Sequence, residues 1–287
     1  MENSTPPKTD NAPPVLGLIA GEGRLPYMVA DGARRAGFRV VCVGLADSAA
    51  PTLAEHVDAF WVGAIARPGG WMRKLRRHGA RRAIMVGRVA KTRIYTPWRI
   101  LRYVPDWRAF RIWYVRLRGK DKRNDSVLNA IAEEFASGGI VLENSIMYCT
   151  EHMAHEGVMT RTQPSASAMA DITFGWPMVL EIGRLDIGQA MAVREREIIA
   201  VEAIEGTAEM IERAGALCKK GGWTLLKAAK PDQDMRFDVP CVGPDTIESL
   251  KRHNAACLAL EKGRTIIIDK PETLSLADKL GIAVIGV

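Results

Sequence analysis

Three carboxylates and a guanidinium fall at alternate positions in the stretch Lys227–Thr246, which reads KAAKPDQDMRFDVPCVGPDT. In an extended chain, successive side chains point to opposite faces. The spacing therefore predicts Asp232, Asp234, Arg236 and Asp238 on one face, with Gln233, Met235, Phe237 and Val239 on the other. Such a cluster is costly unless it is solvated, paired or holding a cation, and Mg²⁺-dependent phosphate chemistry uses one. Pro240 favours extended geometry just before it. A solvated loop with a salt bridge is the plainer reading, and spacing alone does not decide between the two.

The elements around this stretch must position it. In the second half of the chain a helix is expected over 167–183, then a hairpin of strands 190–193 and 198–203, and a helix opening at Glu205–Thr207. Strand 223–227 leads into the charged stretch. A helix over 245–260, a strand 265–268, a helix 274–280 and a strand 282–285 follow it. Asp186, Gln189, Glu205 and Thr207 all fall at element ends, where side chains can converge on a site.

The first half alternates strand and helix. Residues 1–14 are polar and proline-rich and are expected to be a disordered tail. Strand 15–20 runs into Gly21, Glu22 and Gly23 and then a helix, so free backbone amides at that turn would suit a phosphate. The third glycine of a dinucleotide fingerprint is replaced by Pro26. Strands at 39–45, 59–63 and 83–87, with a helix near 70–78, indicate a parallel, Rossmann-like sheet. The expected class is α/β: a Rossmann-like domain over 15–150, a short linker over 151–164, and a second α/β domain over 165–287. His152 and His155 in that linker have no second pair to complete a metal site.

Charge is unevenly spread. The chain carries 40 Lys and Arg against 33 Asp and Glu, and residues 71–123 hold 18 of the former and two of the latter. Trp98, Tyr103, Trp107, Phe110, Trp113 and Tyr114 are interleaved there with Arg99, Arg102, Arg108, Arg111, Arg116 and Arg118. Rings that favour an interface beside arginines describe a segment lying on an anionic membrane surface. Nucleic acid would meet the same composition, but no nucleic-acid motif accompanies it. The five cysteines are scattered without a Cys-x-x-Cys pair, which argues against a disulfide framework or zinc knuckle. No apolar run reaches the roughly 18 residues of a spanning helix, and no leader is evident, so a cytoplasmic protein is expected.

Four segments together, LGLIAGEGRLP, EIGRLDIGQ, VEAIEGT and the charged stretch, resemble the LpxI family of UDP-2,3-diacylglucosamine pyrophosphatases from about residue 15 to 287. The resemblance implies Mg²⁺-dependent hydrolysis of UDP-2,3-diacylglucosamine to 2,3-diacylglucosamine 1-phosphate (lipid X) and UMP in lipid A synthesis. It implies the nucleotide on the first domain, at Gly21, Glu22 and Gly23, the acylated sugar on the second, and closure of the two over the ligand. Asp238 is then the essential carboxylate, as metal ligand or water-orienting group, with Asp234 a second metal ligand. Lys227, Lys230 and Arg236 would face phosphate charge, Gln233 would orient, and Asp186, Gln189, Glu205 and Thr207 would bind substrate. The chain lacks Asp-x-His and Gly-Asn-His-Asp motifs, which excludes a calcineurin-like two-metal mechanism. Peripheral attachment to the inner membrane fits a diacylated substrate, and a homodimer stays open. A nicotinamide-dependent oxidoreductase or a non-catalytic nucleotide-sugar binding protein are the competing readings.

Overall fold

The computed structural model describes residues 12–89, 104–118, 124–231, 233–237 and 239–287, without the side chains of 124 and 125. The chain divides into two compact units, residues 1–144 and 145–287.

The first unit is built on five parallel strands: β1 (Val15–Ala20), β2 (Arg39–Leu45), β3 (Ala59–Gly63), β4 (Arg82–Val86) and β5 (Val141–Leu142), in the order β3-β2-β1-β4-β5. Helices α1 (Leu25–Arg35), α2 (Pro68–Arg77) and α4 (Asn124–Ser137) cross between them, and α3 (Trp107–Arg111) runs on into one wider π turn over Ile112–Arg116. Leu16, Leu18, Val41 and Ile84 are fully buried, because helices cover the parallel strands and leave no face for water. The order reverses at β1, whose two neighbours are β2 and β4, so the carboxyl end of β1 is the switch point where such sheets place ligands.

The second unit carries a six-stranded mixed sheet in the order β6-β13-β11-β9-β7-β8. Its strands are β6 (Gly157–Val158), β7 (Ala190–Arg194), β8 (Glu197–Val201), β9 (Trp223–Lys227), β11 (Ala255–Leu260) and β13 (Ala283–Gly286), and a separate pair joins β10 (Cys241–Val242) to β12 (Ile266–Ile267). Strands β9, β11 and β13 are parallel, whereas β7 runs antiparallel to both β9 and β8. Residues 151–164 are built into this unit: β6 pairs with β13, and the amide of Ala154 bonds the carbonyl of Thr265 at 2.8 Å.

Each central strand buries both faces. Leu225, Leu258 and Leu260 pack with Met210 of α6 (Thr207–Leu217) and Ile247 of α7 (Pro244–Arg252), while Leu226, Cys257 and Ala259 pack on the other side with Ile172 and Val179 of α5 (Ala166–Arg184). Helix α8 (Lys270–Leu280) adds Ala277 to the first cluster. Gly175 of α5 passes so close to β9 that an added Cβ would stand 2.4 Å from Leu226 Cδ1.

The helix expected over 245–260 is instead two elements. Helix α7 ends at Arg252, the chain turns at Asn254 in left-handed geometry (φ 59°), and 255–260 is the central strand β11. An unbroken apolar run buried on both faces carries no period that separates strand from helix.

Candidate active site

Lys227 ends β9, and the register of the sheet brings the ends of β8 and β11 and the start of β7 to the same edge. Only 5% exposed, Lys227 donates from Nζ to Thr207 Oγ1 at 2.9 Å. The Thr207 hydroxyl in turn donates to Glu202 Oε1 at 3.0 Å. Thr207 opens α6 directly after Gly206, whose φ of 87° suits a residue without a Cβ. Glu202 was not among the residues singled out from sequence. Its signal was an acidic side chain directly after strand β8, five residues before Thr207.

Beyond Lys227 the backbone is held from a later turn. The Ala229 amide donates to Glu261 Oε2 at 2.7 Å, and Arg264 Nη2 donates to the carbonyls of Lys230 and Pro231 at 2.8 and 3.3 Å. Gln233 turns inward on its own loop: Oε1 accepts from the Lys230 amide at 2.9 Å, and the Gln233 amide donates to the Lys230 carbonyl at 3.1 Å. Lys230 Nζ pairs with Asp186 Oδ1, with Asp186 itself in left-handed geometry (φ 57°).

Over residues 233–237 the expected extended run does not form. Residues 235–237 make a turn in which the Phe237 amide donates to the Asp234 carbonyl at 3.0 Å. That turn, rather than strand spacing, brings Arg236 onto Asp234, with Nε 2.9 and 3.0 Å from the two carboxylate oxygens. The Arg236 side-chain hydrogen bond, opposed by partial burial, holds the Asp234 carboxyl below its ordinary value. Asp232 and Asp238 lie outside the described residues.

The structure gathers Lys227 and Thr207 with Glu202, joins Lys230 to Asp186 and Gln233, and joins Asp234 to Arg236. Glu205 goes elsewhere: its carboxylate accepts from the Ala203 amide at 3.1 Å and pairs with Arg213, closing the turn before α6. Gln189 lies beside Lys227, its carbonyl accepting from the Ala228 amide at 3.0 Å, while its side-chain Oε1 is buried without a hydrogen-bond partner. Among the described residues no group of three His, Cys, Asp or Glu side chains could hold a metal. Both Asp234 oxygens face Arg236, so Asp234 could ligate Mg²⁺ only by exchanging the guanidinium, and the described donors do not fit a hard-cation site.

At the switch point of the first unit, the amides of Gly21 and Glu22 are already used. They donate to the carbonyls of Val86 and Arg88, both at 2.8 Å, in a bridge between the turns after β1 and β4. A Cβ on Gly21 would stand 2.6 Å from the Arg88 carbonyl oxygen, so glycine permits this closure. The expectation of free amides at Gly21 and Glu22 is therefore corrected. Gly23 (φ 107°) is exposed, with open space at its Cβ position, in the turn just before α1.

The basic aromatic segment also differs from expectation. Glu134 of α4 is fully buried, and Arg108, Arg116 and, at 3.7 Å, Arg111 converge on its carboxylate; Arg116 also reaches Glu133 at 3.1 Å. These three arginines are drawn onto two carboxylates of α4 instead of standing unpaired as a surface for head groups. Rings face outward beside exposed Arg118: Trp107 stacks on Phe110 and Phe110 on Tyr114, with Trp107 69% and Tyr114 61% exposed. Beneath them an apolar cavity of about 410 Å³ is lined by Trp71, Phe110, Ile112, Trp113 and Ile131. Trp98, Arg99, Arg102 and Tyr103 lie outside the described residues.

Comparison with known proteins accounts for both units. Residues 15–152 match the LpxI N-terminal domain and 155–285 the LpxI C-terminal domain. The chain belongs to the LpxI family. It is 32% identical over 279 residues, 95% of this chain and 97% of the relative, to the UDP-2,3-diacylglucosamine pyrophosphatase LpxI of Caulobacter vibrioides. Three of the LpxI-like segments meet on one edge of the second sheet: EIGRLDIGQ leads from α5 to β7, VEAIEGT from β8 to α6, and the charged stretch follows β9. The fourth joins β1 to α1 in the first unit.

Proposed function

We propose that the chain hydrolyses the pyrophosphate bond of UDP-2,3-diacylglucosamine, releasing 2,3-diacylglucosamine 1-phosphate and UMP in lipid A synthesis, in a Mg²⁺-dependent reaction. The observation that carries this reading is the match to both LpxI domains in order along nearly the whole chain. The convergence of three LpxI-like segments on one sheet edge supports it.

Water attacking a pyrophosphate is repelled by the oxygens around phosphorus, so the site needs positive groups and a proton acceptor in fixed places. Lys227, Lys230 and Arg236 supply the positive groups, and each is oriented by a partner: Thr207, Asp186 and Asp234. Asp238 is the essential carboxylate of the proposal, and the metal requirement rests on it and on the family resemblance, since the described donors do not assemble a Mg²⁺ site. The solvent-facing turn at Gly23 and the start of α1 is the proposed contact for the nucleotide phosphate. Peripheral attachment to the cytoplasmic face of the inner membrane is proposed through Trp107, Phe110 and Tyr114, whose rings suit the apolar boundary of a bilayer.

The deciding experiment follows UMP release from UDP-2,3-diacylglucosamine by wild type and Asp238→Ala, with Mg²⁺ or EDTA. Turnover that needs both metal and Asp238 is the expected result. A folded wild type without turnover would overturn the proposal in favour of a nucleotide-sugar binding protein. An oxidoreductase is disfavoured by the closed Glu22–Arg88 bridge and by Pro26 at the fingerprint's third glycine, and NADH titration without an absorbance change is expected.

A further inference from the structure

Lys227 and Glu202 are each 5% exposed, and a lone charge at that depth is expensive for either. They compensate one another across a hydroxyl: Thr207 Oγ1 accepts from Lys227 Nζ at 2.9 Å and donates to Glu202 Oε1 at 3.0 Å. A threonine hydroxyl has one proton and two lone pairs, so it can accept from an ammonium and donate to a carboxylate at once. That fixes the direction of the chain of hydrogen bonds.

Glu202 is not saturated as a structural carboxylate would be. Buried Glu134 is gripped at both oxygens by Arg108 and Arg116, whereas Glu202 Oε2 is buried with no hydrogen-bond partner among the described residues. Asp171 also keeps one such oxygen, but its other oxygen takes the Arg196 amide at 2.7 Å, in the β7–β8 turn at the far edge of the sheet. Glu202 stands at the edge that carries Lys227, and its amide is anchored to the Ala190 carbonyl at 2.9 Å, next to Gln189. An unpaired buried oxygen there needs a reason beyond folding.

We propose that Glu202 is a positioning residue of the hydrolysis, holding the Lys227 ammonium in place at the end of β9 through the hydroxyl of Thr207. This rests on the function proposed above. Losing a charge-assisted hydrogen bond corresponds to a change on the order of tenfold to a hundredfold. Glu202→Gln keeps the shape but not the charge, and it lowers kcat by that factor with little change in KM or melting temperature. Thr207→Val gives the same loss, and Thr207→Ser retains most activity because the hydroxyl remains. The Glu202→Gln/Thr207→Val double variant is no slower than the worse single one, since both break one chain of contacts.

Acetylation of the folded protein by acetic anhydride, read by peptide mass spectrometry, gives a second measurement that needs no substrate. Lys227 is protected in wild type and reacts several-fold faster in Glu202→Gln and Thr207→Val. Wild-type kcat in Glu202→Gln, or unchanged Lys227 labelling in both variants, overturns the proposal. If wild type itself releases no UMP, the proposed function fails, and the labelling still decides whether Glu202 positions Lys227.

Discussion

Arg236 lies across the carboxylate of Asp234, two residues before it, with its Nε shared between both oxygens and its own amide reaching Oδ1 at 3.0 Å. The guanidinium also stands 5.1 Å from the centre of the Phe237 ring. The chain turns between them, the Phe237 amide donating to the Asp234 carbonyl at 3.0 Å.

The pair carries a pH signature. Asp234 is held below its ordinary 3.8 first by the Arg236 side chain, then against the effect of burial and with help from the Arg236 amide. A depressed carboxyl contributes stability that is present above the unfolded value and is lost as pH falls through the folded one. Asp234→Asn is therefore expected to cost about 1 kcal/mol at pH 7. The difference shrinks as pH falls below 3.8, where the carboxyl protonates first in the unfolded chain and then, at lower pH, in the folded one. Urea titrations of both proteins at pH 7 and near pH 3 test this, and an undiminished difference at low pH counts against the pairing.

Glu134 anchors the first unit more deeply. Burial alone would raise its carboxyl, yet hydrogen bonds from Arg108 and Arg116 hold it below its ordinary value. Glu134→Ala leaves three arginines without their shared partner and is expected to cost about 3 kcal/mol in equilibrium unfolding. A loss within experimental error would show that the arginines find solvent instead.

Gly188 sits where no side chain fits. A Cβ there would be 2.0 Å from the Glu202 carbonyl oxygen, a backbone atom that cannot rotate away. Gly188→Ala is expected to destabilise by about 2 kcal/mol and to depress UMP release in the folded fraction, because Glu202 moves with its backbone. Full activity in the alanine variant would contradict the geometry.

Membrane binding should follow the rings rather than the arginines. With Arg108, Arg111 and Arg116 paired to Glu133 and Glu134, this cluster keeps a single net positive charge and raising salt removes little of its attraction. Flotation with anionic vesicles is expected to change little between low and physiological salt, and to fall sharply in Trp107→Ala/Tyr114→Ala. Release by salt alone would restore the basic segment as the contact.

Much of the fold was legible because its signals are local. Strands 15–20, 39–45, 59–63 and 223–227 are short apolar runs ended by glycine or charge, and they form where expected. Strand β11 was hidden because burial on both faces erases the period that distinguishes strand from helix. Strands β5, β6 and β10 have two residues each, too few for any pattern, and exist through their neighbours, whereas β12 falls inside the strand expected over 265–268. In the candidate site, Lys227 and Thr207 could be named from element ends, but the third member, Glu202, is defined by a hydroxyl that joins two strand ends. The link from Asp234 to Arg236 was named as a charge cluster and misread in shape, because alternation assumed an extended chain where the Phe237 amide closes a turn.

The hold of Arg264 on the carbonyls of Lys230 and Pro231 has a consequence for the order of synthesis. A nascent chain that has emerged as far as Gly263 already contains every candidate residue of the charged stretch. It still lacks the guanidinium that shapes their loop, and β13, which completes the parallel core beside β11, comes later again. A chain cut before Arg264 thus keeps the residues of the charged stretch but loses the contact that ties the Lys230 and Pro231 carbonyls to the turn after β11.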